Sequence, residues 1–416
     1  MLAKKDETER IEPMEYYDIF TPGAPPKERR FLVGRKEEIE RLETYLLSPG
    51  IHPIVVGPRG IGKTSLVQQI LDEQDRSVVT AQIEANTVSN FDELARCICD
   101  DLGIDVHNVS STSHEMEETM QAKGKLVVAE GQLQHKEKTT EQMIGLSGKE
   151  ISPQSLKRLL ISSNTNAVIS LDELDDLPGE SDIPVKLAKL AKSLSNQSKW
   201  INQKFVFSGI GRDAHTLFGG HLSSQRNHPV IFLDPLKKND FMAFFSAAEE
   251  ELGISIPSPI KNEIIQDADG FPYYMHQVCF HMFLCHSKQS PSAIVTDYHY
   301  TEGKNKAFED AFSHYLRKYK YSVYRLSDLQ KSILREIVVP KKRHHNYFEL
   351  EKKVARINNV SVKEAKKAFR KLMDSEYIQY RKSDDTISLN DALLKPFLRI
   401  KLNIRGTGRQ ASLFDG

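Results

Sequence analysis

The chain lacks the features of a membrane protein, a disulfide-stapled protein or a strongly charged one. It has no apolar run of about 18 residues, the length that crosses a bilayer, and no apolar signal segment at its amino terminus. Only four cysteines occur, without CxxC or metal-ligand spacing, so we expect reduced thiols and a cytoplasmic protein. Lysine plus arginine equal aspartate plus glutamate at 57 each, so affinity for nucleic acid must be local.

The pattern of apolar runs predicts an α/β fold with several domains. Short apolar runs at 53–56, 77–85, 166–174 and 204–210 alternate with helical periodicity, which is typical of a doubly wound parallel sheet. From 237 to 317 the spacing is helical throughout. The segment 326–402 reads as three helices followed by two short strands, the order of a winged helix.

These patterns divide the 416 residues into five predicted segments. They are an extended leader (1–30), an α/β core (31–236), a helical lid (237–317), a winged helix (326–402) and a flexible tail (403–416). The core carries a polar stretch at about 104–150 that is either a hairpin or a mobile insertion.

A glycine-rich loop between a predicted strand and a predicted helix matches GxxxxGK[ST]. Backbone N–H groups of such a loop surround phosphate oxygens, and the following helix directs its positive end at the same anion. Lys63 adds a charge near the terminal phosphates, and Thr64 offers a hydroxyl to Mg²⁺. The predicted nucleotide contacts are Gly57, Pro58, Arg59, Gly60, Ile61, Gly62, Lys63, Thr64 and Ser65.

A buried apolar strand delivers the acidic pair Asp172 and Glu173 at its carboxyl end, where open α/β sheets bind ligands. We expect Asp172 to hold the metal and Glu173 to activate the attacking water. The following acids, Asp175 and Asp176, are better explained as solvated loop charges.

The next apolar strand ends at Ser208, with Arg212 four residues further on. Ser208 is a candidate phosphate sensor and Arg212 a candidate cation for the charge that develops during phosphoryl transfer. The alternatives are a helix cap for Ser208 and a surface position for Arg212.

The order FLVGR, GPRGIGKTS, VISLDE, FVFSGIGRD, IFLDPL and GFP resembles the AAA+ superfamily, closest to the STAND and origin-recognition-like ATPases of prokaryotes. The resemblance implies that Gly34 and Arg35 lie near the adenine and that Pro272 covers the base or phosphates from the lid. It also implies a finger arginine, Arg226, that reaches a neighbour's nucleotide, and hence a homo-oligomer in the ATP state. The chain departs from the pattern in the lid helix, where His276 stands and no sensor arginine is evident.

A basic segment interrupts the neutral balance of the chain. Between 341 and 382 there are thirteen lysines and arginines against five acidic residues. We expect the third helix of the winged helix to contact the DNA backbone, with the wing adding phosphate contacts. The residues are Lys363, Lys366, Lys367, Arg370, Lys371 and Lys382, with Val362, Ala365, Phe369 and Leu372 on the opposite face. The alternative is a solvated basic face on a protein-contact module.

The last residues, QASLFDG, look like the short peptide by which bacterial proteins dock on the replicative sliding clamp, through Gln410, Leu413 and Phe414. Taken together, these patterns predict an ATPase that uses ATP and Mg²⁺ and couples the nucleotide state to DNA. The alternative is a STAND-like signalling switch, for example in anti-phage defence, whose winged helix contacts protein.

Overall fold

The computed structural model describes residues 15–106, 150–174, 177, 181–195, 203–209, 227–289, 292–311, 313, 319, 322–339, 344–382, 384–390 and 394–402. The predicted tail, 403–416, and nearly all of the predicted insertion, at 107–149, lie outside these residues.

The described helices and strands follow one another along the chain. The helices are α1 (Tyr16–Ile19), α2 (Lys36–Leu47), α3 (Lys63–Asp72), α4 (Phe91–Asp101), α5 (Pro153–Ser163), α6 (Ile183–Ser195), α7 (Lys238–Leu252), α8 (Ser258–Ala268), α9 (Pro272–Ser287), α10 (Asp297–Ala311), α11 (Asp328–Val338), α12 (Tyr347–Ile357), α13 (Val362–Asp374) and α14 (Leu394–Lys401). The strands are β1 (Ile54–Val56), β2 (Val79–Glu84), β3 (Ala167–Asp172), β4 (Gln203–Gly209), β5 (Val230–Phe232), β6 (His345–Asn346), β7 (Ile378–Arg381) and β8 (Thr386–Leu389).

The described residues form two compact units. The first, called the sheet unit, consists of residues 37–56 and 70–232 as far as they are described. The second, called the helical unit, consists of residues 15–36, 57–69 and 233–402 on the same terms. The predicted boundaries at 31, 236 and 326 differ from this division, because the P-loop residues are grouped with the lid and the carboxyl-terminal segment.

The sheet unit is built on five parallel strands in the order β2-β3-β4-β1-β5. Every residue of β3 is buried, as expected for a central strand covered on both faces. Glu84 pairs with Asp172, and Val56 pairs with Gly209, so the carboxyl ends of β1, β2, β3 and β4 lie along one edge. The α/β fold class predicted from the apolar runs is confirmed.

The helical unit has one hydrophobic core that runs through the lid helices and the carboxyl-terminal segment alike. Phe308 of α10 stacks on Phe397 of α14, with ring centroids 6.1 Å apart and nearly parallel rings. The predicted lid and winged helix therefore share a core, a long-range pairing that local periodicity does not reveal.

The segment from 327 to 402, called the carboxyl-terminal subdomain, has the element order expected for a winged helix. Helix α11 is followed by β6, α12, α13, β7 and β8, and the three strands form an antiparallel sheet in the order β6-β8-β7. Helix α13 begins with a capping box in which Ser361 and Glu364 satisfy each other's backbone N–H groups. The two-residue strand β6 and the helix α14 were not predicted.

The prediction of an extended leader is wrong for residues 15–30. Residues Tyr16–Ile19 form a single helical turn, and the side chains of Ile19 and Phe20 are fully buried. Phe20 packs on Phe283 of the lid, with ring centroids 4.9 Å apart. The prolines and glycine of this segment set its turns, but its apolar residues belong to the core of the helical unit.

Among the described helices, none is both long and apolar enough to cross a bilayer.

Candidate functional site

The glycine-rich loop starts where β1 ends and leads directly into α3. Gly60 and Gly62 have φ values of 77° and 99°, a region that side chains with a Cβ rarely adopt. At Gly57 an added Cβ would lie 2.9 Å from the Ile61 side chain. The three glycines are therefore required by the backbone path of the loop.

Lys63 is the first residue of α3, and its ammonium group lies over the loop. Its Nζ donates to the carbonyl oxygen of Gly57 at 3.0 Å and approaches that of Pro58 at 3.4 Å. Thr64 and Ser65 follow in the first turn of the helix, the end at which the helix dipole favours an anion. The predicted phosphate-binding residues are thus brought together on one loop and one helix start.

Arg35 is buried and holds two backbone segments of the helical unit. Its guanidinium donates to the carbonyl oxygen of Asp234 at 2.7 Å and to that of Ile61 at 3.0 Å. Gly34, with φ of 66°, has no room for a Cβ, which would lie 2.6 Å from the Asp240 side chain. These contacts make Arg35 a residue that positions the loop.

The lid meets the loop at the start of α9. The backbone N–H of Tyr273 points to the carbonyl oxygen of Gly60 at 3.4 Å, and an added Cβ at Gly60 would lie 3.2 Å from Cβ of Tyr273. The ring of Pro272 lies 3.8 Å from the corresponding point at Gly62. Pro272 is thus placed beside the loop, and Tyr273 is a neighbour that sequence reasoning missed.

His276, the residue that stands where the lid lacks an arginine, lies in the core. Its Nδ1 accepts a hydrogen bond from the backbone N–H of Thr21 at 3.0 Å, and its ring packs against Phe244. Burial lowers the pKa of His276 to about 4, so the ring is neutral at physiological pH. A neutral ring that anchors the segment before α2 is a structural group.

The predicted acidic residues lie in the sheet unit. Asp172, the last residue of β3, is buried, and its Oδ1 accepts the N–H of Glu173 at 2.8 Å. The same oxygen accepts the hydroxyl of Ser208, which is fully buried within β4. Ser208 therefore orients the carboxylate of Asp172 from the neighbouring strand.

Glu173 leaves the strand with a left-handed backbone, φ 55°, which is uncommon for a residue with a side chain. Its carboxylate accepts the side-chain amide of Asn86, in the turn that follows β2. Positive φ at such a residue is typical of functional sites, where neighbouring structure sustains the strain. Asn86 was not predicted from the sequence. A polar residue directly after a strand that pairs with β3 is nevertheless a pattern that could have identified it.

Several predicted residues cannot be placed in this arrangement. Arg212, Arg226, Asp175, Asp176 and the tail residues Gln410, Leu413 and Phe414 lie outside the described residues. In the part of the chain that is described, no group of three or more metal-ligating side chains occurs.

The basic face of α13 is exposed. Lys363, Lys366, Lys367, Arg370 and Lys371 are all solvent-accessible, and within the described residues none of them forms an ion pair. The opposite face buries Ala365, Ala368, Phe369 and Leu372. Val362, predicted for the apolar face, is 48% exposed because it lies in the first turn of the helix.

The wing has a different charge balance from α13. Arg381 pairs with Asp384 at 3.3 Å, and Asp385 accepts the hydroxyl of Tyr380. Lys382 is exposed beside them. The two cations and two carboxylates of the wing cancel, so its field on a phosphate is weak compared with that of α13.

Part of the chain matches a known family, and its fold is similar to the folds of solved proteins. Residues 32–201 match the family model of the AAA ATPase domain. The fold resembles that of a Walker-type ATPase of Pyrococcus abyssi, at 16% identity and a TM-score of 0.55, covering 92% of this chain and 99% of the other. It also resembles the ORC2 protein of Aeropyrum pernix, solved in ADPNP and ADP complexes, at 12% identity and a TM-score of 0.52, covering 94% and 99%. No curated protein matches the chain significantly in sequence.

The family match covers the loop, the acidic strand end and Asn86, and the similarity of fold extends over the lid and the carboxyl-terminal subdomain. Residues 32–201 therefore match the AAA ATPase domain, and the fold of the chain is similar to that of the ORC2 protein of Aeropyrum pernix.

Proposed function

We propose that this chain binds ATP with Mg²⁺, hydrolyses it, and couples the nucleotide state to engagement of DNA through α13. The observation that carries the hydrolysis is the strand end of the sheet unit. There Glu173 has a left-handed backbone and its carboxylate accepts the amide of Asn86, next to an Asp172 oriented by Ser208. Backbone strain of this kind clusters at functional sites, which supports a catalytic role for the carboxylate of Glu173.

The loop residues divide the binding work. Backbone N–H groups between Gly57 and Thr64 surround the β- and γ-phosphates, and Lys63 exchanges its contacts with the loop carbonyls for phosphate oxygens. Arg35 and Tyr273 keep the loop in shape from either side. The fold of the ORC2 protein, solved with nucleotides, supports this assignment.

The acidic residues divide the chemical work. A hydroxyl and a carboxylate are the hard oxygen ligands that suit Mg²⁺, and we assign them to Thr64 and Asp172. The metal supplies charge neutralisation of the phosphates when it is bound. Glu173 accepts the proton of the attacking water as that water approaches the γ-phosphorus, and Ser208 acts through Asp172.

The DNA assignment depends on the five exposed cations of α13. They carry no compensating ion pair in the described residues, whereas the wing neutralises itself. Backbone contacts by about five such cations predict a slope of about −4.5 in log K against log salt concentration. We therefore propose duplex DNA bound through its phosphates, with the wing and Lys382 contributing less than α13.

The decisive experiment measures ATP turnover and duplex binding over a range of salt concentrations. We expect DNA to stimulate turnover, the stimulation to fade as salt rises, and Glu173→Gln to bind ATP without hydrolysing it. The matched control replaces Lys352, an exposed lysine on α12, by Met and should leave the salt slope unchanged. Turnover near zero in the intact protein would refute the ATPase assignment.

A second candidate function is a signalling switch whose carboxyl-terminal subdomain contacts protein. Phe348 and Ile357 on α12 are 47% and 54% exposed, and Val362 adds a third apolar side chain. If turnover occurs but duplex DNA neither binds nor stimulates, this candidate replaces the first. The finger role of Arg226, the oligomer that it implies, and docking of the tail on a sliding clamp stay predictions, because those residues lie outside the described chain.

A further inference from the structure

The end of helix α8 is linked by charged groups to α14, the last of the described helices. Nζ of Lys395 in α14 lies 2.9 Å from Oδ2 of Asp269, and Lys395 is only 7% exposed. One turn further along α14, Arg399 donates to the carbonyl oxygen of Gln266 at 3.1 Å and lies 3.8 Å from Asp267. Two successive turns of α14 are thus attached to the same helix end.

This attachment restrains α14, because the buried ammonium group of Lys395 is stable only close to an opposite charge such as Asp269. Removing a charge from water is costly, and the cost is recovered only when geometry holds the opposite charge close. Phe397, between the two cations in sequence, is fully buried and stacks on Phe308. Helix α14 cannot shift along α8 without separating Lys395 from Asp269.

The same turn leads to the P-loop in a few residues. Asp269 and Gly270 both have left-handed backbones, with φ of 47° and 86°. Gly270 accepts the N–H of Leu236 at 2.9 Å, and the chain then reaches Tyr273, whose N–H points to Gly60 of the loop. The segment 269–273 therefore contacts Gly60 of the loop at one end and Lys395 of α14 at the other.

We propose that the turn 269–273, together with the Asp269–Lys395 pair, transmits the nucleotide state of the P-loop to α14 and so to the carboxyl-terminal subdomain. The inference rests on the proposed function in one respect, that nucleotide binds the loop. Binding of phosphates at Gly60 changes the loop that Tyr273 touches, and the ion pair makes α14 follow the turn. Nucleotides that favour different loop conformations then favour different positions of α13.

The test is amide hydrogen exchange of the full chain with ADP and with the ATP analogue ADPNP. In the wild type we expect exchange in 394–402 and 362–374 to differ between the two nucleotides by about threefold or more. In Lys395→Met, which keeps most of the apolar stem and removes the charge, this difference should disappear while affinity for both nucleotides stays within about twofold.

Two further variants separate transmission from simple destabilisation. Asp269→Asn removes the other charge, and Asn tolerates the left-handed backbone, so it should abolish the same difference. Lys352→Met, an exposed lysine outside the pair, should preserve it.

Each result has a definite meaning. A nucleotide-dependent difference that persists in Lys395→Met and Asp269→Asn, or that is absent from a wild type that binds both nucleotides, overturns the inference while the proposed function stands. A wild type that binds neither nucleotide overturns the proposed function and the inference together. Because affinity is measured separately from exchange, the two failures are distinguishable.

Discussion

The two units hold their predicted functional residues in different ways. In the sheet unit, side chains hold side chains: Ser208 orients Asp172, and Asn86 holds Glu173. In the helical unit, contacts converge on the main chain of the loop, where Arg35 binds the carbonyl of Ile61. A carboxylate that moves protons must be aimed, whereas a loop that binds phosphate must keep its shape. Variants of the sheet unit should therefore lower turnover, and variants of the helical unit should lower affinity.

Among the substitutions, Glu173→Gln should give the largest difference between its effect on turnover and its effect on affinity for ATP. Glutamine keeps the size of the side chain and an acceptor for Asn86 but cannot accept the proton of water, so turnover should fall by about 10²–10⁴-fold. Affinity for ATP should stay within about threefold of the wild-type value, because Glu173 does not belong to the glycine-rich loop. Steady-state turnover and nucleotide titration measure the two quantities. A variant that lost affinity and kept turnover would reverse the comparison.

Acid should weaken the sheet unit through His52, which lies before β1. Its Nδ1 accepts the N–H of Phe205 at 3.2 Å, and its carbonyl oxygen lies 2.9 Å from Nδ1 of His228. Burial, with smaller contributions from His228 and Lys204, lowers the pKa of His52 to about 3. The unfolded chain takes up this proton below a pH of about 6.5 and the folded chain only near 3, so stability falls as pH drops between those values.

The loss from His52 amounts to about 5 kcal/mol in full, or about 1.4 kcal/mol for each pH unit within the window. Denaturant unfolding between pH 4 and 7 measures the slope. His52→Gln should reduce the slope by nearly one proton, whatever it does to stability at neutral pH. Equal slopes in the two proteins would show that His52 titrates normally. The His276 ring of the helical unit, with a pKa of about 4, contributes a narrower window of the same sign.

In the helical unit, Lys63→Met should lower the affinity for ATP. An ammonium on phosphate contributes about 1.5–3 kcal/mol, which corresponds to about 10- to 100-fold in the dissociation constant of ATP. The aliphatic stem is retained, so the start of α3 should keep its structure. Titration with a fluorescent nucleotide, checked by circular dichroism, gives both values. Unchanged affinity would remove Lys63 from the phosphate site.

A smaller loss should follow from Arg35→Lys. A lysine ammonium is a single point and cannot bind the carbonyls of Asp234 and Ile61 as the planar guanidinium does. We expect affinity for ATP to fall by about 3- to 10-fold through a less ordered loop, with turnover at saturation unchanged. The matched control is Arg41→Lys in the sheet unit, because Arg41 also donates to a backbone carbonyl, that of Val230, but at the surface. Equal effects of the two substitutions would contradict the role of Arg35.

The sequence was informative where the chemistry is local. The P-loop is one contiguous segment whose glycines, Lys63 and following helix are adjacent in the chain, so spacing alone predicts it. Asp172 and Glu173 follow directly from a buried strand. The five cations of α13 were predicted on one face and are exposed there, because helical periodicity fixes which side chains share a face.

The residues that sequence reasoning missed act across long separations. Asn86 meets Glu173, 87 positions later, only because β2 and β3 pair in parallel. Tyr273 meets Gly60 through the packing of the lid. Phe20 was assigned to an extended leader, since its partner Phe283 lies far along the chain. Periodicity identifies an apolar face and not what covers it, which is why the shared core of the lid and the carboxyl-terminal subdomain was not foreseen.

The smallest expected effect is that of Asn86→Ala on turnover. The amide of Asn86 donates to the carboxylate of Glu173 and restrains that side chain. Without that donor the carboxylate is less well aimed at the attacking water, so turnover should fall by about two- to fivefold with affinity for ATP unchanged. Gln82→Ala, at an exposed position of β2, is the control and should change neither quantity. A fall in turnover as deep as that of Glu173→Gln would instead place Asn86 among the groups that touch the reacting water, and the sheet unit would then contain two catalytic side chains at this edge.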